Sequence, residues 1–288
     1  MDIIYRYDPL KPIDAGKSST PENAAAALRE GNLRHALMVE KVRGELLDGN
    51  QNRPVVFSSN PLSLGFSLVM GKAPVQRPFG IVLGCSDARA PIELIFDQSH
   101  NELFVVRVAG NVLGTECLGS IEYAARNFVE SIKLVVVLGH TGCGAVEAAV
   151  ALYLDPDAYS SIAQTYSLRS IVDRILAVVR IADKALVRRC GPDLPNDPDY
   201  RAALWQMAVY LNAALTAHDL SRELEHDGSS GLDVVYGVYD LSKQRVESAP
   251  AADSTFAPAP KTSADLNTLA DKLVDSIFEG GLLSGLAV

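Results

Sequence analysis

Two short segments of the chain concentrate residue types that can hold a metal ion. They are Gly84-Cys85-Ser86-Asp87-Ala88-Arg89 and Gly139-His140-Thr141-Gly142-Cys143-Gly144. Together they offer two thiolates and an imidazole, a ligand set that zinc favours. His-x-x-Cys at a strand-to-helix turn lets both side chains reach one ion, and the surrounding glycines permit tight backbone turns. Three soft ligands leave a coordination position for water, as in catalytic zinc sites, whereas structural sites are usually closed by four. Asp87 is close enough to compete for that position or to hydrogen-bond the water there. Arg89 can pair with the carboxylate and hold it off the metal. A single cysteine after a buried strand is ordinarily a small core residue. Two such motifs, each following an apolar run and a glycine, are hard to explain by packing. Cys117 and Cys190 have no ligand-type partner at motif spacing and read as packing residues or free thiols. Arg107, in an otherwise apolar run, reads as paired with a carboxylate.

The elements that must position these groups are legible around them. Phe79–Gly84 (FGIVLG), Leu103–Val108 (LFVVRV) and Lys133–Gly139 (KLVVVLG) are apolar, rich in β-branched residues and do not alternate. Strands buried on both faces read this way, as in a parallel sheet covered by helices. Helical patterns lie between them, over 92–96, 119–129 and the GAVEAAVALYL segment after Cys143. Such alternation predicts right-handed crossovers and a doubly wound sheet. In open parallel sheets ligands bind beyond the carboxyl ends of the strands. If the first and third runs are neighbours, Cys85, His140 and Cys143 converge on one point.

The rest of the chain divides around this unit. Residues 1–19 read as an extended arm. Thr20-Pro21 starts a helix that runs to about Leu47, with an N-cap hydroxyl and proline at the first helical position. Residues 50–75 read as a long irregular connection. Apolar residues at 171, 175, 178, 182 and 186 mark a helix over 167–189, residues 199–226 mark another, and Leu232–Leu241 a last strand. The domain of interest therefore spans 20–247. Residues 248–263 (SAPAADSTFAPAPKTS) read as a Pro/Ala-rich linker. The tail, 264–288, carries an amphipathic stripe at Leu266, Leu269, Leu273, Ile277 and Phe278 that stops at Gly280-Gly281.

Composition narrows the function classes. The 288 residues are 48% hydrophobic and 21% charged, a globular balance. A net charge of −9 argues against sequence-independent binding of nucleic acid. No apolar run approaches the roughly 18 residues that span a bilayer, and the first residues lack a secretory pattern, so a cytoplasmic location is expected. Four cysteines are too few for a disulfide scaffold. A redox role is disfavoured without Cys-x-x-Cys, and base deamination without its His-x-Glu signature.

The motifs resemble those of the β-class carbonic anhydrases. The resemblance rests on CSDAR at 85–89, ELFVVRVAGN at 102–111, GSIEYA at 119–124 and VVLGHTGCGAV at 136–146, with GN at 31–32 and YDL at 239–241. It implies an α/β fold: a mainly parallel central sheet with an extra antiparallel strand and flanking helices, here with an N-terminal helix and a C-terminal amphipathic tail. It implies a lyase that hydrates CO2 reversibly to bicarbonate and a proton through zinc-bound hydroxide. One Zn2+ per subunit would be held by Cys85, His140 and Cys143, with Asp87 a further metal ligand only in a closed state. Asp87 and Arg89 would be the catalytic dyad. Gln76 would bind substrate, Phe104, Ala109 and Tyr123 would line the CO2 pocket, and Gly144 would offer a backbone contact. Ala109 stands where many members have a larger aliphatic residue, which implies a slightly wider pocket. Val82 stands where bicarbonate-regulated members have Trp, so an open site with Asp87 and Arg89 paired is expected. Two thiolate ligands donate more charge than imidazoles, so activity is expected to rise with pH. Pocket residues shared between subunits imply a homodimer or a homotetramer. Hydrolysis of COS or CS2 on the same site is an alternative, as is a scaffold protein recruited through its tail by a protein partner.

Overall fold

The computed structural model describes residues 3–8, 10, 19–47, 55–59, 70–162, 164–226, 228 and 231–279. In chain order the elements begin with β1 (Ile3–Tyr7), α1 (Pro21–Leu47), β2 (Val55–Ser59), β3 (Gly80–Gly84), α2 (Ile92–Ile95), β4 (Leu103–Arg107), α3 (Thr115–Asn127) and β5 (Leu134–His140). They continue with α4 (Gly144–Leu154), α5 (Tyr159–Ile162), α6 (Tyr166–Cys190), α7 (Tyr200–His226), β6 (Asp233–Asp240), β7 (Arg245–Glu247), β8 (Ala257–Pro258) and α8 (Ser263–Glu279). Among the described residues, no helix is long and apolar enough to cross a membrane.

The main sheet has the order β4-β3-β5-β6-β7, with β8 also on β6. Strands β3 to β6 are parallel, and β7 and β8 run antiparallel to β6. Every residue of β3 and β5 is buried, which is why these runs do not alternate in polarity. Their side chains still alternate between two cores. Ile81, Leu83, Val135 and Val137 face the larger core with α3, α4, α6, α7 and α8. Val82, Leu134, Val136 and Leu138 face the smaller one with α1 and α2. From β3 the chain steps outward to β4, then crosses back to place β5 on the other side of β3. That reversal is the topological switch point, and it opens a crevice at the carboxyl ends of β3 and β5. In α1, Thr20 Oγ1 accepts from the Asn23 N–H at 3.2 Å as the N-cap. Buried Asn32 ties this helix to β7, accepting from the Val246 N–H at 2.8 Å.

Two regions differ from the sequence expectation. The connection over 50–75 contains strand β2, which pairs in parallel with β1 as a separate two-stranded sheet; residues 50–54 and 60–69 lie outside the described residues. The Pro/Ala-rich stretch is held against the main sheet. Tyr236 pairs with Ala257, Val235 with Pro258, and the Ala259 N–H donates to Val234 O at 3.0 Å. Prolines are tolerated there because the outer side of an edge strand needs no ladder donor.

The amphipathic tail forms α8, and its stripe is covered by the chain itself. Leu266, Ala270, Leu273, Val274 and Ile277 are buried in the larger core. Ion pairs Arg188–Asp271 and Arg189–Asp275 join α8 to α6. Among the described residues, Leu269 is the stripe position left partly exposed, and it packs against the same core. The Phe278 side chain and Gly280-Gly281 lie outside the described residues. Leu273 is fully buried. Leu273→Ala should therefore lower the unfolding free energy by about 2–5 kcal/mol, measured by denaturant titration. An unchanged midpoint would show that α8 is no part of the core.

Candidate active site

Cys85 is the first residue after β3, His140 the last of β5, and Cys143 the residue before α4. Because β3 and β5 are paired neighbours, their ends present these side chains to one point. One ligand atom from each lies within 4.8 Å of the others, and all three residues are buried. The two sulfurs are 4.0 Å apart. Left-handed glycines shape both approaches. Gly142, at φ +68°, turns the chain between His140 and Cys143. Gly110, also at φ +68°, lies in a short 3-10 turn over Ala109–Asn111 and donates its N–H to Cys85 Sγ at 3.4 Å. A Cβ on Gly110 would lie 2.9 Å from Ile175 Cδ1 and 3.1 Å from Ala145 Cβ.

The protonation pattern suits a soft dication. His140 Nδ1 is 2.9 Å from Thr141 O. A carbonyl only accepts, so Nδ1 carries the proton and Nε2 presents a lone pair. That Nε2 is buried with no hydrogen-bond partner among the described residues, a costly condition that a metal ion relieves. A hydrogen bond from Cys143 draws the Cys85 thiol well below its ordinary value, while Cys143, which keeps the proton, is pushed up with burial adding to the effect. Burial pushes the His140 imidazole down, but the Cys85 sulfur, the Thr141 carbonyl and the Asp87 carboxylate together push it up, and the net shift is upward.

The carboxylate beside this set is locked. Asp87 Oδ1 accepts from the Arg89 N–H at 2.9 Å and from Arg89 Nε at 3.0 Å, and Oδ2 accepts from Arg89 Nη2 at 2.7 Å. These bonds hold the Asp87 carboxyl well below the usual carboxylate range. Oδ2 lies 3.8 Å from His140 Nε2, so the carboxylate borders the donor set. Arg89 Nη2 also donates to Gly142 O at 3.2 Å and so links the two loops. Arg107 corrects the sequence reading, because its partners are carbonyls and not a carboxylate. Its Nε donates to Cys85 O at 3.0 Å and its Nη2 to Asp87 O at 2.6 Å. A guanidinium fork thus grips the loop on either side of Ser86.

The remaining expected residues are placed more loosely. Gln76 is exposed, in a segment fastened to Asn101 by the Arg77 N–H at 3.0 Å and by Val75 O at 2.9 Å. Phe104 is half-buried on β4 and Tyr123 exposed on α3; both contact Phe128, with ring centroids 6.3 and 6.1 Å away. Ala109 is half-buried in the turn beside Gly110, and Gly144 is the exposed first residue of α4. Val82 is fully buried in the smaller core. Cys117 and Cys190 pack half-buried against the larger core. Sequence reading missed two residues of α7. Trp205 Nε1 donates to Cys143 O at 3.1 Å, and Asn212 Nδ2 donates to Gly110 O at 2.7 Å. The available signal was an asparagine inside the apolar run MAVYLNAALTA and the chain's single tryptophan.

The model of the carbonic anhydrase family matches residues 80–246, more than half of the chain and all four parallel strands of the site-bearing sheet. A carbonic anhydrase of Mycolicibacterium smegmatis is 34% identical over 172 residues, covering 60% of this chain and 71% of the relative. Carbonic anhydrase 2 of Mycobacterium tuberculosis is 44% identical over 108 residues, covering 36% of this chain and 47% of the relative. The β-carbonic anhydrase of Coccomyxa, solved with acetazolamide, is 20% identical with a TM-score of 0.47, covering 73% of this chain and 83% of that one. Sheet topology and a buried Cys-His-Cys cluster able to hold a metal ion define an α/β protein of the carbonic anhydrase type. The chain belongs to the β-class carbonic anhydrase family.

The Arg89 bonds favour the ionised Asp87, so the pairing contributes above the unfolded carboxyl value and is lost as pH falls through the lowered folded one. In the metal-free protein, Arg89→Ala should move the Asp87 carboxyl up towards its ordinary value of about 3.9. Carbon-detected NMR titration of the side chain reads this directly; an unmoved titration would show that Arg89 does not govern it.

Proposed function

We propose that the protein hydrates CO2 reversibly to bicarbonate and a proton, using one zinc ion held by Cys85, His140 and Cys143. The observation that carries this reading is the buried three-donor set with the orphaned His140 Nε2 beside a locked Asp87–Arg89 pair. When bound, zinc supplies a nucleophile by lowering the pKa of a coordinated water.

The chain's own residues do the rest. Asp87 stays ionised through Arg89 and accepts a proton in a hydrogen bond at Oδ2, which orients the attacking oxygen towards carbon. Arg89 occupies both carboxylate oxygens, which supports Asp87 as an outer-sphere acceptor and not a metal ligand in this arrangement. The N–H of Gly144, at the positive end of α4, would stabilise charge on the product oxygens. Gln76 offers a hydrogen bond to bicarbonate. Phe104, Ala109 and Tyr123 give apolar walls suited to a non-polar substrate. The exposure of Gln76 and Tyr123 in a single chain suits a pocket completed by a second subunit, and hence a homodimer or larger assembly. Free thiolate ligands suit the reducing cytoplasm.

Cys85→Ala and Cys143→Ala should each lose zinc and CO2 hydration together, read by elemental analysis and stopped-flow. Asp87→Asn should keep zinc and lose about 100-fold in rate. Full turnover after removal of the metal would overturn the proposal, and faster turnover of COS or CS2 than of CO2 would reassign the substrate.

A further inference from the structure

Helix α7 reaches the Cys143 loop after β5 and the Gly110 turn after β4. Trp205 and Asn212 are seven positions apart, close to two helical turns, so they project from the same side. Trp205 Nε1 donates to the carbonyl of Cys143 itself at 3.1 Å. Asn212, 4% exposed, donates from Nδ2 to Gly110 O at 2.7 Å. Gly110 in turn donates its N–H to Cys85 Sγ at 3.4 Å. A glycine at φ +68° has soft dihedrals. A bond at its carbonyl therefore fixes the direction from which its N–H meets the sulfur. One rigid element is thus tied to both thiol ligands, directly at one and through a single residue at the other.

We infer that Trp205 and Asn212 are positioning residues that set the separation and hydrogen bonding of the two thiolate ligands. The inference rests on the zinc reading above. Groups that orient ligands from outside the coordination shell commonly change metal affinity about 10–100-fold when removed. Neither side chain belongs to the metal motifs, and each acts through the backbone it holds. The helix spacing makes α7 a gauge: its two donors hold the loops after β4 and β5 at a fixed distance from each other.

The test compares Trp205→Phe, which keeps a ring and loses the donor, with Asn212→Leu, which keeps the volume and loses the donor. Zinc affinity is measured by competition with a chromogenic chelator. The sulfur-to-cobalt charge-transfer band of the Co2+-substituted protein reports the thiolates themselves. Thermal melts and oligomeric state serve as controls. Each variant should bind zinc about tenfold more weakly and shift the charge-transfer band, with the fold retained. Lower thermal stability with unchanged affinity and spectrum would show a merely structural role and overturn the inference. Should Asn212→Leu fail to fold, Trp205→Phe decides by the same two readouts. Wild-type protein that takes up no metal would overturn the zinc reading and this inference together. Wild-type that binds metal beside indistinguishable variants would overturn this inference alone.

Discussion

Two thiols and an unpaired imidazole nitrogen, buried within 4.8 Å of one another, are the constraint on which the surrounding structure depends. Such groups cost free energy when desolvated without partners. They are brought together by strand pairing. Neighbouring strands lie about 4.8 Å apart, and β3 and β5 are paired with Gly84 opposite Leu138. A residue just past one strand end and a residue at the end of the other are then within reach of one ion. The fully buried strands make that register hard to shift, because a slip of one residue would exchange the two cores.

The loops that carry the donors are held from several directions by hydrogen bonds to backbone. Arg107 grips the carbonyls of Cys85 and Asp87, Arg89 ties Asp87 to Gly142 O, and α7 reaches Cys143 and Gly110. Both arginines also bring positive charge next to groups that become anionic, in surroundings where screening by water is reduced. Exposed Arg89 is positioned by its three bonds to Asp87 and not by packing. The same side chain thereby keeps the carboxylate ionised and away from the metal position.

The tail shows how chemistry and stability divide along the chain. The family match ends at residue 246, yet β8 and α8 lie beyond it and complete the sheet edge and the larger core. A proline-rich stretch followed by an amphipathic helix suggests a tether and a docking element. Packed on α6 and α7, the helix instead buries Leu266, Leu273 and Ile277 within its own chain. A hydrophobic stripe specifies that a face is buried, and is silent about what buries it.

Much of the site was legible because its chemistry is local. Cys85, Asp87 and Arg89 fall within one loop, His140 and Cys143 within another, and each loop follows a non-alternating apolar run that announces a buried parallel strand. Helices α1, α6 and α7 were readable for a similar reason, since capping and a 3.6-residue period are properties of consecutive residues. The strands β1, β2, β7 and β8 were not, because these two to five residues are not the continuous apolar, β-branched runs that mark β3, β4 and β5. By itself, then, the sequence determined the ligand types, the Asp87–Arg89 pair and the kind of sheet that displays them. Tertiary structure alone decided that Arg107 meets carbonyls, that Trp205 holds the Cys143 loop and Asn212 the Gly110 turn, and that α8 belongs to the core. Those contacts join residues from about 20 to more than 100 positions apart, and such pairs meet only through the packing of whole elements, which no local pattern encodes.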